Sequence, residues 1–146
     1  MTQNSRELIA KNIAQVIEDM DEPRIGKVTR HPFNVEELAI TQFPAVLINT
    51  GEETRDTVSM STSGLRTGTI NYLIRGFVRG VDLDTMRNDL IERIEEALDA
   101  DRYRNLGVTT VMNGHITSVE VIERQPPLAE FVINYAVDYV FTRGSA

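Results

Sequence analysis

Cysteine and tryptophan are absent from the 146-residue sequence, and histidine occurs only twice. Without cysteine, the chain can form no disulfide, no thiolate nucleophile and no zinc site built on cysteine. His31 and His115 have no second histidine or carboxylate at a ligand spacing, which favours surface or hydrogen-bonded histidines over metal ligands. The composition therefore predicts no metal centre, and it fits a reducing compartment.

Long apolar runs and an excess of basic residues are also missing. No segment approaches the roughly 18–20 apolar residues that a membrane span needs, and residues 1–6 lack the apolar run of a signal peptide. The 15 Lys and Arg residues are outnumbered by 22 Asp and Glu residues, which gives a formal net charge of −7. Because phosphate binding needs clustered cations, this balance disfavours nucleic-acid binding, although a like-charged channel would let a polyanion pass without retaining it.

Signatures of catalysis are scarce as well. The sequence has no Gly-x-Ser-x-Gly motif and no Walker-type loop, and its nine glycines are scattered without a phosphate-binding spacing. Carboxylates cluster at residues 83–98, but Arg87 and Arg93 are interleaved with them, which is typical of a solvated helix face. We predict no catalytic residue and no cofactor. A small acid–base hydrolase that uses these carboxylates is the weakest alternative.

The strongest pattern that is present is a strand at residues 131–142. Its odd positions are all large and apolar or aromatic, namely Phe131, Ile133, Tyr135, Val137, Tyr139 and Phe141. A period-2 backbone puts them on one face, and we expect helices to cover that face. The even positions are smaller, and among them are Val132, Ala136, Asp138 and Val140. This second face is less polar than a solvent face, so it is either covered within the fold or lines a subunit interface.

Two amphipathic helices are predicted. Asn4 or Ser5 can cap the first helix, which should end before Pro23. Its apolar stripe comprises Ile9, Ile13, Val16, Ile17 and Met20. The second helix spans about residues 83–98. Its stripe comprises Leu83, Met86, Leu90, Ile94, Ala97 and Leu98.

Four further strand segments are predicted at residues 25–30, 45–48, 69–79 and 108–122. Gly76 indicates a bulge or a close approach, and Asn113-Gly114 indicates a hairpin turn or a bulge. The element order is then α-β-β-β-α-β-β with short turns. We predict a single α+β domain over residues 1–146, with an antiparallel or mixed sheet of about five strands and two helices packed on one face.

Residues 54–64 are polar, rich in hydroxyl groups and poor in apolar anchors. They predict a long loop or the tip of an extended hairpin, which would serve as an assembly arm. Disorder of this segment in the free protein is compatible with that role, because a segment can become ordered on assembly. The interface candidates are Arg55, Asp56, Thr57, Ser59 and Arg66 around this segment, together with Asp138 on the even face of the last strand.

The layout of the whole chain resembles the tail terminator (tail completion) proteins of tailed bacteriophages. An N-terminal helix opens at residues 7–9, and Pro44 leads into the apolar strand at 45–48. The acidic turn at 51–53, Gly-Glu-Glu, follows at once.

The second half of the chain continues this resemblance. The polar loop precedes a strand with Tyr72, a helix ends in the Leu-Asp-Ala-Asp of residues 98–101, and the final strand carries Tyr139. Family members often have a tighter Asp-to-Leu-Gly-Gly spacing. Here four residues separate Asp101 from Leu106, and a single glycine follows.

The resemblance implies a structural virion protein in the neck region of the tail, assembled in the host cytoplasm. Such proteins form a ring, usually a hexamer, that caps the tail tube and joins it to the head-side connector, and DNA passes through its acidic or neutral channel without specific binding. The implied partners are further copies of the chain, the tail-tube protein, the connector or neck protein, and a sheath or collar protein in a contractile tail. The alternatives are another head–tail connector, a tail-tube component, or an adaptor domain that binds peptides at a sheet edge.

Overall fold

A computed structural model describes residues 5–21, 24–55, 65–100 and 110–142. The helices are α1 (Ser5–Glu18) and α2 (Leu83–Asp99), and two short 3-10 turns lie at Val35–Glu37 and Ile40–Gln42. The strands are β1 (Lys27–Thr29), β2 (Ala45–Arg55), β3 (Leu65–Arg79), β4 (Thr110–Ile122) and β5 (Leu128–Thr142). The predicted order α-β-β-β-α-β-β is confirmed.

The five strands form one mixed sheet in the order β1-β2-β3-β5-β4. Only the β1–β2 pair is parallel, and the other three pairs are antiparallel. β3 and β5 pair without a register shift from Leu65 opposite Thr142 to Arg79 opposite Leu128. The last strand is therefore an interior strand, paired with β3 on one side and with β4 on the other.

The aromatic face of β5 packs beneath both helices, as predicted. Phe131, Tyr135 and Tyr139 are fully buried in a cluster with residues of α1, α2, β2 and β3. From α1 the cluster takes Ile9, Ala10, Ile13 and Ile17, and from α2 it takes Leu90, Ile94 and Leu98. The side chain of Phe141 lies outside the described residues.

One position on α2 departs from the predicted pattern. The sequence pattern predicts Arg87 on the solvated face and Met86 on the apolar stripe, but Arg87 is buried and Met86 is 36% exposed. Position 87 lies four residues after Leu83 and three before Leu90, so helical geometry puts it on the core stripe. The aliphatic part of arginine can be buried there while the guanidinium reaches an acceptor. Arg87 Nη2 does so by donating to Asp84 Oδ1 over 3.2 Å.

Two local expectations concern backbone irregularities. Gly76 marks a close approach and not a bulge, since the β3–β5 register runs through it and the ring of its partner Phe131 covers it. Asn113-Gly114 marks a bulge and not a hairpin, because the β4–β5 register shifts between Val111 and Asn113 while β4 continues to Ile122.

The sheet face opposite the helices, here called the open face, is covered at one end by residues 33–43. Val35 is buried there against Ala45, Leu47 and Phe77, with Phe33, Leu38, Phe43 and Leu128 packed around them. Beside this cluster the carboxylate of Glu130 is nearly inaccessible and accepts a 2.6 Å hydrogen bond from Arg124 Nε. The fold therefore covers the end of β5 near Val132, and it leaves the end near Asp138 uncovered by the described residues.

Candidate assembly surfaces

A bulge in β2 determines which side chains lie on each face of the β2–β3 hairpin near its tip. Thr50 pairs with Tyr72, but the next registered pair is Glu53 with Ile70, so the register shifts between them. Because side chains alternate along a strand, the shift places Glu53 on the helix face. Glu52 and Thr54 then lie on the open face.

Glu53 is the centre of a polar cluster at the base of the predicted arm. Its carboxylate accepts hydrogen bonds from Arg6 Nη1 at 2.8 Å, from Arg55 Nε at 2.7 Å and from the hydroxyl of Tyr139. Burial raises the pKa of Glu53, but these hydrogen bonds outweigh it and hold the pKa below its usual value. Burial and the adjacent Glu53 raise the pKa of Tyr139 to about 12, so its hydroxyl stays protonated and donates.

The start of α1 is attached to the same region by two further contacts. The Tyr72 hydroxyl donates to the Arg6 carbonyl over 3.0 Å. Arg30 contacts both oxygens of Glu7, at 2.7 and 3.0 Å, and this hydrogen-bonded pair holds the pKa of Glu7 below its usual value. The base of the hairpin, the first turn of α1 and the end of β1 are thus joined by hydrogen bonds and ion pairs.

The uncovered end of the open face forms a polar groove. It is lined by Glu52, Thr54, Thr69, Asn71, His115, Thr117, Ala136 and Asp138. Asp138 Oδ1 accepts a 2.6 Å hydrogen bond from Thr69 Oγ1, its cross-strand partner. Among the described residues that line the groove are two carboxylates but no lysine or arginine, so this surface repels phosphate and suits a cationic or hydroxyl-bearing partner.

The structure separates the interface candidates onto different surfaces. Arg55 is exposed on the helix face beside Glu53, whereas Asp138 is half-buried in the groove on the open face. Arg66 pairs with Phe141 in the β3–β5 ladder, and its side chain lies outside the described residues. Asp56, Thr57 and Ser59 lie outside them as well, so the assembly arm stays a prediction, although β2 reaches Arg55 and β3 resumes at Leu65.

Sequence reasoning missed the Glu53 cluster. The sequence pattern predicts an acidic turn at residues 51–53, but these residues lie within β2, and Arg6 and Tyr139 are distant from Glu53 in the chain. The pattern of residues 49–55 gives no signal for the bulge that turns this carboxylate toward Tyr139.

The described residues contain no group of three or more His, Asp or Glu side chains arranged to hold a metal ion. The carboxylates of α2 are at the surface, and the ion pair between Arg93 and Glu96 spans 3.3 Å between exposed side chains. Within the described part of the chain, no helix is long and apolar enough to span a membrane.

The two edges of the sheet differ in length and chemistry. β1 is a three-residue edge strand, whereas β4 is a 13-residue edge strand at the other side. Val119 and Val121 on β4 are 41% and 47% exposed. A long edge strand with exposed apolar side chains is a typical site of pairing with another chain.

The fold is shared with a protein of a bacteriophage. In the solved structure of the bacteriophage SPP1 gp17 protein, 94% of the chain matches 97% of this one with a TM-score of 0.51. The sequence identity is 15%, so the similarity lies in the fold. No protein-family model matches the sequence, and no curated protein matches it.

Proposed function

We propose that this chain is a structural virion protein of a tailed bacteriophage, a tail terminator that forms a homohexameric ring. The observation that carries the proposal is the similarity of fold to a bacteriophage protein along nearly the full length of both chains. The order of motifs noted in the sequence supports the same assignment. The ring caps the finished tail tube in the neck of the virion and offers its other surface to the head-side connector.

The surfaces of the fold suit such a ring. Among the described residues no strand pairs with the outer side of β1 or of β4, so identical copies can meet head to tail at these edges and close around an axis. The net charge of −7 and the carboxylates of the groove suit a channel through which DNA passes without being held. The predicted arm at residues 54–64 would contact a neighbouring subunit or the tube, or a sheath or collar protein in a contractile tail.

The native mass of the purified chain tests the ring. Six copies of the 16.4 kDa chain give an assembly of about 98 kDa, which we expect with the chain alone or after the tail-tube protein of the same phage is added. Open, growing tubes of this chain would instead identify a tail-tube component. A protein that stays monomeric at high concentration and in the presence of the tube protein would refute the assignment.

A further inference from the structure

The free edge of β4 is most regular after its second bulge. The register shifts between Ile116 and Ser118, and from there residues 118–122 pair with β5 without interruption. Val119 lies opposite Ile133 and Val121 opposite Phe131, so both exposed valines are on the helix face, while Glu120 is on the open face. β4 contains neither lysine nor proline, which edge strands commonly use to block pairing.

The opposite edge carries the complementary chemistry. On β1, Lys27 pairs with Ala45 and Thr29 with Leu47, which puts both on the open face, and Val28 lies on the helix face against the main core. Residues 24–31 contain two arginines, one lysine and one histidine but no Asp or Glu. The ammonium of Lys27 lies 5.8 Å from the ring centre of Phe33, and the residue is only partly covered.

We propose that residues 118–122 of β4 in one subunit bind the β1 edge of a second copy, so that the sheet continues from subunit to subunit. The inference rests on the ring proposed above, and it names the surfaces that form the contact. On the open face Glu120 meets Lys27 of the neighbouring copy. On the helix face Val119 and Val121 meet Val28.

A contact between two different edges is favoured over one between two β4 edges. In a β4–β4 pair, Glu120 of one copy would lie near Glu120 of the other, and like charges on facing strands are destabilising. The β4–β1 contact instead pairs opposite charges and apolar side chains on matching faces. Because it joins two different patches, it leaves a free edge on each partner until a ring closes.

Zero-length cross-linking with a carbodiimide tests the contact, since the chain has only two lysines, Lys11 and Lys27. The reagent joins a carboxylate to an amine only where the two touch. β1 and β4 are the outer strands of the five-stranded sheet, so Lys27 and Glu120 of one subunit are separated by four strand spacings, or roughly 19 Å. A Lys27–Glu120 amide therefore arises between subunits. We expect this amide in covalent dimers of the native protein. Mass spectrometry of tryptic peptides identifies the two residues that it joins.

Two variants and their controls complete the test. Val121→Lys should lower the yield of this dimer by about tenfold or more, because it replaces the apolar contact with Val28 by a charged side chain that would lose its hydration on pairing. Val81→Lys, at a fully exposed valine before α2, should leave the yield unchanged. Lys27→Arg should keep the native mass of the assembly while removing this cross-link, since the charge stays and the reactive amine is lost.

The results separate this contact from the ring itself. If assemblies form but yield no amide between Lys27 and Glu120, or if Val121→Lys assembles like the native chain, the contact is wrong and the ring stands. If the native chain does not self-associate even with tube protein present, both are wrong. Cross-links through Lys11 alone would also overturn the contact.

Discussion

Replacing Gly76 with alanine is expected to lower the free energy of unfolding by about 3 kcal/mol, the upper end of the usual cost of overpacking a core. A Cβ atom at position 76 would lie 2.1 Å from Cζ and 2.4 Å from Cε1 of Phe131. The Phe131 ring is fully buried in the main cluster, so it cannot move without displacing its neighbours. Denaturant unfolding followed by circular dichroism measures the loss.

Gly80→Ala is the matched control for this change. The Cβ of alanine 80 would meet Met86 Sδ at 2.6 Å, but that atom belongs to a flexible side chain that is 36% exposed and free to move. Its cost should stay within about 0.5 kcal/mol. Equal effects of the two substitutions would show that Phe131 does not lie over Gly76. A double variant that also replaces Phe131 with leucine should cost less than the sum of its parts, because the clash is shared.

Replacing Glu53 with glutamine should lower the free energy of unfolding by about 2 kcal/mol at neutral pH. The substitution removes the charge that Arg6, Arg55 and Tyr139 share, and hydrogen bonds to charged groups contribute more than neutral ones. Glu52→Gln is the matched control, since the adjacent carboxylate is exposed and lies on the opposite face. It should change stability by less than about 0.5 kcal/mol.

The pH dependence of the Glu53 effect has a defined sign. The folded protein holds the pKa of Glu53 below that of the unfolded chain, so the carboxylate stabilises the fold above its ordinary pKa. That contribution is lost as the pH falls through the lowered value. The stability difference between the native protein and Glu53→Gln should therefore be full at neutral pH and should shrink on acidification. A difference that grows toward acid pH would contradict the cluster.

The main architecture follows from periodicity that is visible in the sequence. Residues 131–142 alternate so strongly that the sequence predicts both the strand and its buried face. The apolar stripe of α1 predicts that this helix packs against that face. Arg87 shows the limit of assignment by residue type. Its charge suggested a solvated position, but the helical repeat places it on the core stripe, where only the guanidinium needs a polar partner.

The contacts at the candidate surfaces depend on which strands pair and in what register. The sequence pattern shows neither. A single register shift between Thr50 and Glu53 decides which of two neighbouring carboxylates meets Tyr139. Residues 33–43, between two of the predicted strand segments, cover part of the open face because Val35 and Phe33 reach the apolar ends of β2 and β3. The period of the strand puts Asp138 on the even face, but its contact with Thr69 depends on the pairing of β3 with β5, which the sequence pattern does not show.

The most direct test of the proposed function is an electron-microscopic measurement of tube length during assembly. Tail-tube protein of the same phage is polymerised with and without this chain, and the tube ends are imaged. A tail terminator should stop elongation, which leaves shorter tubes that carry a ring of this protein at one end. Tubes of unchanged length with bare ends, or with this protein distributed along their walls, would contradict the terminator function.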